Sequence, residues 1–233
     1  MKSGSLLPWI LLALILVGCA PGEKNGYVVL YTSQDQFYAE PILKEFTAST
    51  GIEVRSVFDT ESAKTAGLAH RLRAEQGHPV CDLFWSNEEM HTRLLAAEGV
   101  VNPKEWRAAG SRTRRLVINT NRMPAALLPQ SLLELTNAAW RGQVALAFPL
   151  FGTTQGHFLA LRQLWGDAVW KSWCEGLARN GAKIVDGNSV VVQLVGAGEC
   201  WLGLTDSDDI AAGLRQGMPI AALPLNGESL AIR

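Results

Sequence analysis

The chain has 233 residues, 48% of them hydrophobic and 18% charged, with a formal net charge of -1. That length suits one large globular domain or two small ones, and the composition excludes a disordered or collagen-like chain. So neutral a chain, without a basic run or stripe, has neither nucleic acid nor an acidic membrane surface as its main partner.

The first residues read as an export signal. Lys2 supplies positive charge, Leu6 to Val17 is apolar apart from Pro8, and Leu16-Val17-Gly18 precedes Cys19. The run is short for a membrane-spanning helix and has the layout of a secretory signal peptide. Small residues before a Cys also match the lipobox of bacterial lipoproteins. Residues 1–19 are therefore expected to be a lipoprotein signal peptide, with Cys19 lipidated and 20–26 a linker. An ordinary signal with an incidental Cys is the alternative. The expected location is periplasmic or extracytoplasmic, tethered to the membrane. Cys81, Cys174 and Cys200 fit no metal-ligand spacing. Export permits a disulfide such as Cys174–Cys200, but an odd count leaves a thiol over.

From Tyr27 strands alternate with helices. Tyr27 to Tyr31 is a strand, and Phe37, Ala39, Ile42, Leu43 and Phe46 follow a helical period up to Gly51. Ile52 to Phe58 is a second strand, Ser62 to Gln76 a helix, Asp82 to Trp85 a third strand, and Met90 to Gly99 another helix. This alternation predicts an α/β fold on a parallel, doubly wound sheet. Residues 102 to 113 are polar and irregular, Arg114 to Asn119 is a strand, and Thr120 to Pro129 is linker. Further on, Leu132 to Trp140 reads as a short helix and Val144 to Phe148 as a strand. Gln155 to Trp165 and Ala168 to Asn180 read as helices, Lys183 to Asp186 as a strand, and Val190 to Ala197 as a helix. Leu202 to Thr205 is a strand, Ile210 to Arg215 a helix, and Ile220 to Leu223 and Ser229 to Ile232 are strands.

No catalytic constellation is present: there is no G-x-S-x-G, H-E-x-x-H, P-loop or G-x-G-x-x-G. The histidines (His70, His78, His91, His157) are scattered and read as surface residues. The polar residues gather instead where strands give way to helices. These turns are Thr32-Ser33-Gln34-Asp35, Ser86-Asn87-Glu88, Gly152-Thr153-Thr154, Gly187-Asn188-Ser189 and Thr205 to Asp209. Such helix starts present free N–H groups to an anion, although Ser, Thr, Asn and Asp there also serve simply as N-caps. Arg112 and Arg114 share a face by strand alternation, within reach of a cleft anion or at a solvated strand end.

The lipobox, the opening VVLYTSQDQFYAEPILKEFTASTGIEV, and DLFWSNEE, SRTRRLVINT, PLFGTTQG, DGNSVVVQLVGAGE and GLTDSDD resemble, in order, an extracellular solute-binding protein of the ferric-iron type that feeds ABC importers. The resemblance implies a two-lobed periplasmic-binding-protein-like fold with a ligand cleft between the lobes. Lobe 1 would span 27–120, lobe 2 would span 121–218, and 219–233 would cross back toward lobe 1. It implies hinge passages near Arg114 to Thr120 and Ala221 to Ile232. Because the family continues past the second hinge, it also implies a shortened product or a smaller first lobe. Iron-binding members carry an adjacent Tyr pair where this chain has Asp208-Asp209, a His near Asp35 and a Glu near Asn87 or Glu88.

The expected metal ligands are accordingly Asp35, Asp208 and Asp209, since carboxylates suit a hard cation such as Fe(III). Ser33, Gln34, Asn87, Arg114, Gly152, Thr153, Thr154, Asn188, Ser189 and Asp206 are the other ligand-binding candidates. Acidic residues in a first helical turn also simply complement the helix dipole. The expected protein is a monomeric, lipid-anchored capture component. It does no chemistry, takes iron or another hard cation with a carbonate- or phosphate-like anion, and delivers it to a membrane permease. The alternatives are a binding protein for a small organic phosphate or other anion, and a secreted metal-dependent hydrolase using Asp206, Asp208 and Asp209.

Overall fold

The computed structural model describes residues 26–59, 65–229 and 231–232. The expected signal peptide, Cys19 and all of the linker before Gly26 lie outside them. Two sheets organise the chain. The smaller has the order β2-β1-β3, built from β1 (Tyr27–Thr32), β2 (Glu53–Phe58) and β3 (Leu83–Trp85), all parallel. Its connections carry α1 (Gln36–Thr50), α2 (Ala66–Ala74) and α3 (Glu89–Ala97). Gly51, at φ 72°, ends α1 in a left-handed turn that a side chain would strain.

The larger sheet has the order β6-β5-β7-β4-β8, with β9 also paired to β4. Its strands are β4 (Arg112–Asn119), β5 (Val144–Ala147), β6 (Lys183–Val185), β7 (Leu202–Asp206), β8 (Ile220–Leu223) and β9 (Ala231–Ile232). The helices are α4 (Gly152–Trp165), α5 (Asp167–Arg179), α6 (Asn188–Gly196) and α7 (Ser207–Arg215). β5 and β7 are buried along their whole length, as strands covered on both faces must be.

This sheet is not all parallel. β4 runs antiparallel to β7, β8 and β9, and it hydrogen-bonds here from Arg112 onward. The strand expected as a hinge passage thus lies in the second sheet, and a boundary at Thr120 would separate it from the strands it pairs with. Leu132 to Trp140, expected as one helix, is two 3₁₀ turns broken at Asn137, whose ψ of 143° is extended. Helices α4, α6 and α7 start two or three residues before their apolar periodicity does. Their opening residues face a cleft, so no apolar pattern marks them.

Alternation along β4 divides the larger core. Leu116 and Ile118 join Trp140, Leu146, Phe158, Trp173, Leu202 and Leu204 on one face. Val117 joins Ala145, Val191, Val195, Ile210 and Ile220 on the other. The smaller sheet's core is thinner, centred on Tyr31, Leu68, Ala69, Leu72 and Leu95. Helix α1 buries only Ala39 and leaves Phe37, Ile42 and Phe46 exposed. Cys81, Cys174 and Cys200 are free thiols, so a Cys174–Cys200 bridge does not form. His157, expected at the surface, is fully buried, its Nε2 2.5 Å from the Glu228 carbonyl.

Candidate functional site

The site is built outward from the end of β7. Arg114 of β4 stands directly opposite Asp206 in the antiparallel register. Opposite charges in that position attract across the ladder. Here both are buried, Arg114 at 0% and Asp206 at 1% exposure. Arg114 Nη1 donates to Asp206 Oδ1 at 2.8 Å and to Asn188 Oδ1 at 2.9 Å. Thr153 Oγ1 and Asn188 Nδ2 donate to Asp206 Oδ2 at 2.7 and 3.1 Å. Arg112 Nε lies 3.3 Å from the same oxygen. Burial pushes the Asp206 carboxyl up, but the Arg114 and Arg112 guanidinium groups together hold it below the usual range. Asp206 therefore stays ionised and committed to two arginines, and its carboxylate makes no cap to α7.

Two residues on, the balance of charge reverses. Asp208 Oδ2 accepts from Arg112 Nη1 at 3.2 Å, while its Oδ1 is buried with no hydrogen-bond partner. Asp209 is 8% exposed, and its carboxyl finds no hydrogen-bonding partner among the described residues. Burial and the neighbouring Asp208, Asp206 and Asp35 carboxylates push it up to about 8. Oxygens of Asp206, Asp208 and Asp209 all lie within 4.8 Å of one another. Such a cluster is short of positive charge in a place that water reaches poorly.

The cluster opens on a cavity of about 40 Å³ between the two lobes. Of the residues anticipated from sequence, Gln34, Asp35, Asn87, Thr153, Thr154, Asn188, Asp206, Asp208 and Asp209 line it. Ser33, Arg114, Gly152 and Ser189 do not. Ser33 is held behind the wall, where its Oγ accepts from Asn87 N at 2.9 Å and Thr65 Oγ1 at 3.0 Å. Arg114 supports Asp206 from the sheet. Gly152 is buried in the first turn of α4 at φ 56°, and Ser189 sits beside Asn188 in α6. Glu88 is a true cap, accepting from Met90 N and His91 N. The starts of α4, α6 and α7 carry no side-chain cap, so their N–H groups are left for other partners.

Sequence reasoning passed over Tyr38, Phe148, Phe151 and Asp186, which also line the cavity. Tyr38 was within reach: it follows Asp35 by three residues at a helix start, so the two share a face. Among the described residues, two hydrogen bonds cross the cavity. Arg112 Nη2 donates to the Asn87 carbonyl at 2.5 Å, and Tyr38 Oη donates to the Asp208 carbonyl at 3.4 Å.

The model for bacterial extracellular solute-binding proteins matches residues 28–231. The chain belongs to this family. The family is one of extracellular solute-binding proteins, which places the chain outside the cytoplasm. Its sequence is 27% identical over 210 residues to the major ferric iron-binding protein of Neisseria meningitidis serogroup B, across 82% of this chain and 61% of that one. It is likewise 27% identical to the Fe(3+)-binding periplasmic protein of Serratia marcescens, across 85% and 63%. The solute-binding protein thus spans less than two thirds of the length of these relatives. Among solved structures, iron-bound HitA from Pseudomonas aeruginosa superposes with a TM-score of 0.75 at 21% identity, over 88% of this chain and 72% of that one. AfuA from Actinobacillus pleuropneumoniae, with fructose-6-phosphate bound, gives 0.72 at 18%, over 89% and 72%. These likenesses establish the two-lobed α/β fold.

Proposed function

We propose that this solute-binding protein captures a hard metal ion of the ferric type in its interlobe cavity and delivers it to a membrane permease. The observation that carries the reading is Asp209, nine-tenths buried and without a hydrogen-bonding partner among the described residues, beside Asp208 in a cavity that Asp35 lines from the other lobe. A multivalent cation relieves the carboxylate repulsion that otherwise holds a proton there, and carboxylate oxygens are its preferred donors. Asp206 is the anchor of the site rather than a ligand, because the arginines already neutralise it. The ferric-iron-binding relatives support the choice of cation. The uncapped starts of α4 and α6 suit a synergistic carbonate- or phosphate-like anion. In our reading the mature chain is monomeric and anchored through a lipid on Cys19, which mass spectrometry of the membrane-extracted protein tests.

The same uncapped helix starts favour a second reading, an organic phosphate, and the sugar-phosphate-bound neighbour accords with it. A thermal-shift screen separates the two. Ligand at a hundredfold excess over Kd adds about 2.7 kcal/mol to a folded state that binds it. Ferric citrate raising the midpoint, and losing that effect in Asp208→Ala/Asp209→Ala, supports the metal reading. A shift with sugar phosphates and none with iron overturns it.

A further inference from the structure

Two of the residues lining the cavity take no part in its charge. Phe148 follows β5, its N–H bonded to the Val185 carbonyl at 2.9 Å, and Phe151 stands immediately before α4. Their rings stack, with 5.8 Å between centroids and 30° between planes. Phe151 holds the N-cap position of α4, with φ -139° and ψ 159°. Ser, Thr, Asn or Asp in that position would bond the free N–H groups of the first turn. An aromatic ring forgoes that bond and leaves the helix start open beside it. Such a break with local preference is expected at functional positions. Phe148 keeps 43% of its surface exposed although the hydrogen bonds from Arg112 and Tyr38 across the cavity are made. Bringing the lobes together therefore does not cover it. An aromatic pair left open beside a polar cavity is a surface for a ligand.

The size of the cavity points to which part of a ligand that is. At roughly 10–15 Å³ for each water-sized group, its volume of about 40 Å³ holds about three. That is room for a metal ion, or for one carboxylate or phosphate head against the open starts of α4 and α6, but not for the carbon frame that carries such a head. We infer that Phe148 and Phe151 form a platform for the carbon frame of an organic anion, whose anionic head enters the cavity while its C–H face lies across the two rings. The inference deepens the function proposed above and rests on it. On the metal reading, the anion that accompanies iron is an organic chelator rather than carbonate. On the phosphate reading, the ligand is an ester rather than inorganic phosphate. A C–H face laid on aromatic rings takes both surfaces out of water, and covering about 50–60 Å² of apolar area is worth about tenfold in affinity. Inorganic ions have no such face, so the platform separates the two classes without changing any charge.

The full chain is dialysed to equilibrium against ferric citrate carrying separate labels on iron and citrate. Fructose-6-phosphate and inorganic phosphate are compared by titration calorimetry. The expected wild type retains citrate together with iron, or binds the sugar phosphate about tenfold more tightly than inorganic phosphate; the first outcome belongs to the metal reading and the second to the phosphate reading. Phe148→Ser/Phe151→Ser should release the citrate and keep the iron, or lose the tenfold preference and keep its affinity for inorganic phosphate. Proton NMR of the wild type with gallium citrate or fructose-6-phosphate, showing upfield ring-current shifts of the ligand C–H protons, gives the same answer should the variant fold poorly. Iron retained without citrate, with the two phosphates bound alike, overturns the inference and leaves the metal reading standing. Citrate retention or a phosphate preference that survives the double substitution also overturns it. A wild type that retains no iron and binds neither phosphate overturns both the inference and the function proposed above.

Discussion

Removing the Asp206 carboxylate should be among the most damaging single changes in this protein. Asp206→Ala leaves Arg114 charged at 0% exposure, with its 2.8 Å partner gone and only Asn188 and Thr153 nearby. Breaking a buried ion pair from one side costs about 3–5 kcal/mol, because the remaining charge stays desolvated and uncompensated. Thr153 and Asn188 still bond each other at 3.0 Å, so their lost bonds to Asp206 add little. In a domain of this size each kcal/mol is worth about 2–4 °C, so the melting midpoint should fall by about 6–20 °C. Urea unfolding followed by circular dichroism at neutral pH gives the free energy directly. Arg114→Met/Asp206→Leu, which removes both charges, should lose far less than Asp206→Ala. A single mutant within about 1 kcal/mol of wild type, or a double mutant as unstable as the single, refutes the reasoning. The pH profile adds a check. The folded Asp206 pKa lies below its unfolded value of about 3.9, so its contribution is present above that pH and fades as pH falls through the folded value. Asp206→Ala should flatten the acid limb.

Asp209 has the opposite sign. Its folded pKa of about 8 exceeds the unfolded value, so stability is full at low pH and is lost as pH rises toward 8. Metal-free Asp209→Asn should therefore be more stable than wild type at pH about 8 and little different near pH 4, in paired urea curves. His157, pushed down to about 3 by burial and by Arg114, costs stability as pH falls from its unfolded value of about 6.5. His157→Gln should reduce the slope over that interval, and an unchanged slope would exclude the group. Gly203→Ala should cost about 1–3 kcal/mol, seen as a lower urea midpoint. The added Cβ runs into Val191 of α6 and lies 3.0 Å from the Ala145 carbonyl oxygen.

The alternation of apolar strands and helices carried the α/β class, because burial on two sheet faces writes itself into residues such as those of β5 and β7. Strand direction left no such mark. β4 reads the same whether parallel or antiparallel, yet only the antiparallel register sets Arg114 against Asp206 and makes that carboxylate an anchor. The first turns of α4, α6 and α7 were read as turns, since residues that face a cavity interrupt the very periodicity that betrays a helix. His157 was legible in principle: Thr153, Thr154, His157, Phe158 and Leu161 repeat at helical spacing on the buried face of α4. A general expectation that histidines are exposed outweighed that pattern. Tyr38 went unread because it falls between Phe37 and Ala39, two of the apolar positions that marked α1 as a helix.

Both hydrogen bonds described across the cavity end on main-chain carbonyls, those of Asn87 and Asp208. Every residue type supplies that acceptor, so substituting the Asn87 or Asp208 side chain cannot delete either tether. Only the donors, Arg112 and Tyr38, are genetically addressable. Apparent affinity scales with the fraction of molecules in the binding-competent state. A change at Arg112 or Tyr38 should therefore alter apparent affinity through that fraction, where a change of the Asn87 side chain leaves its tether in place.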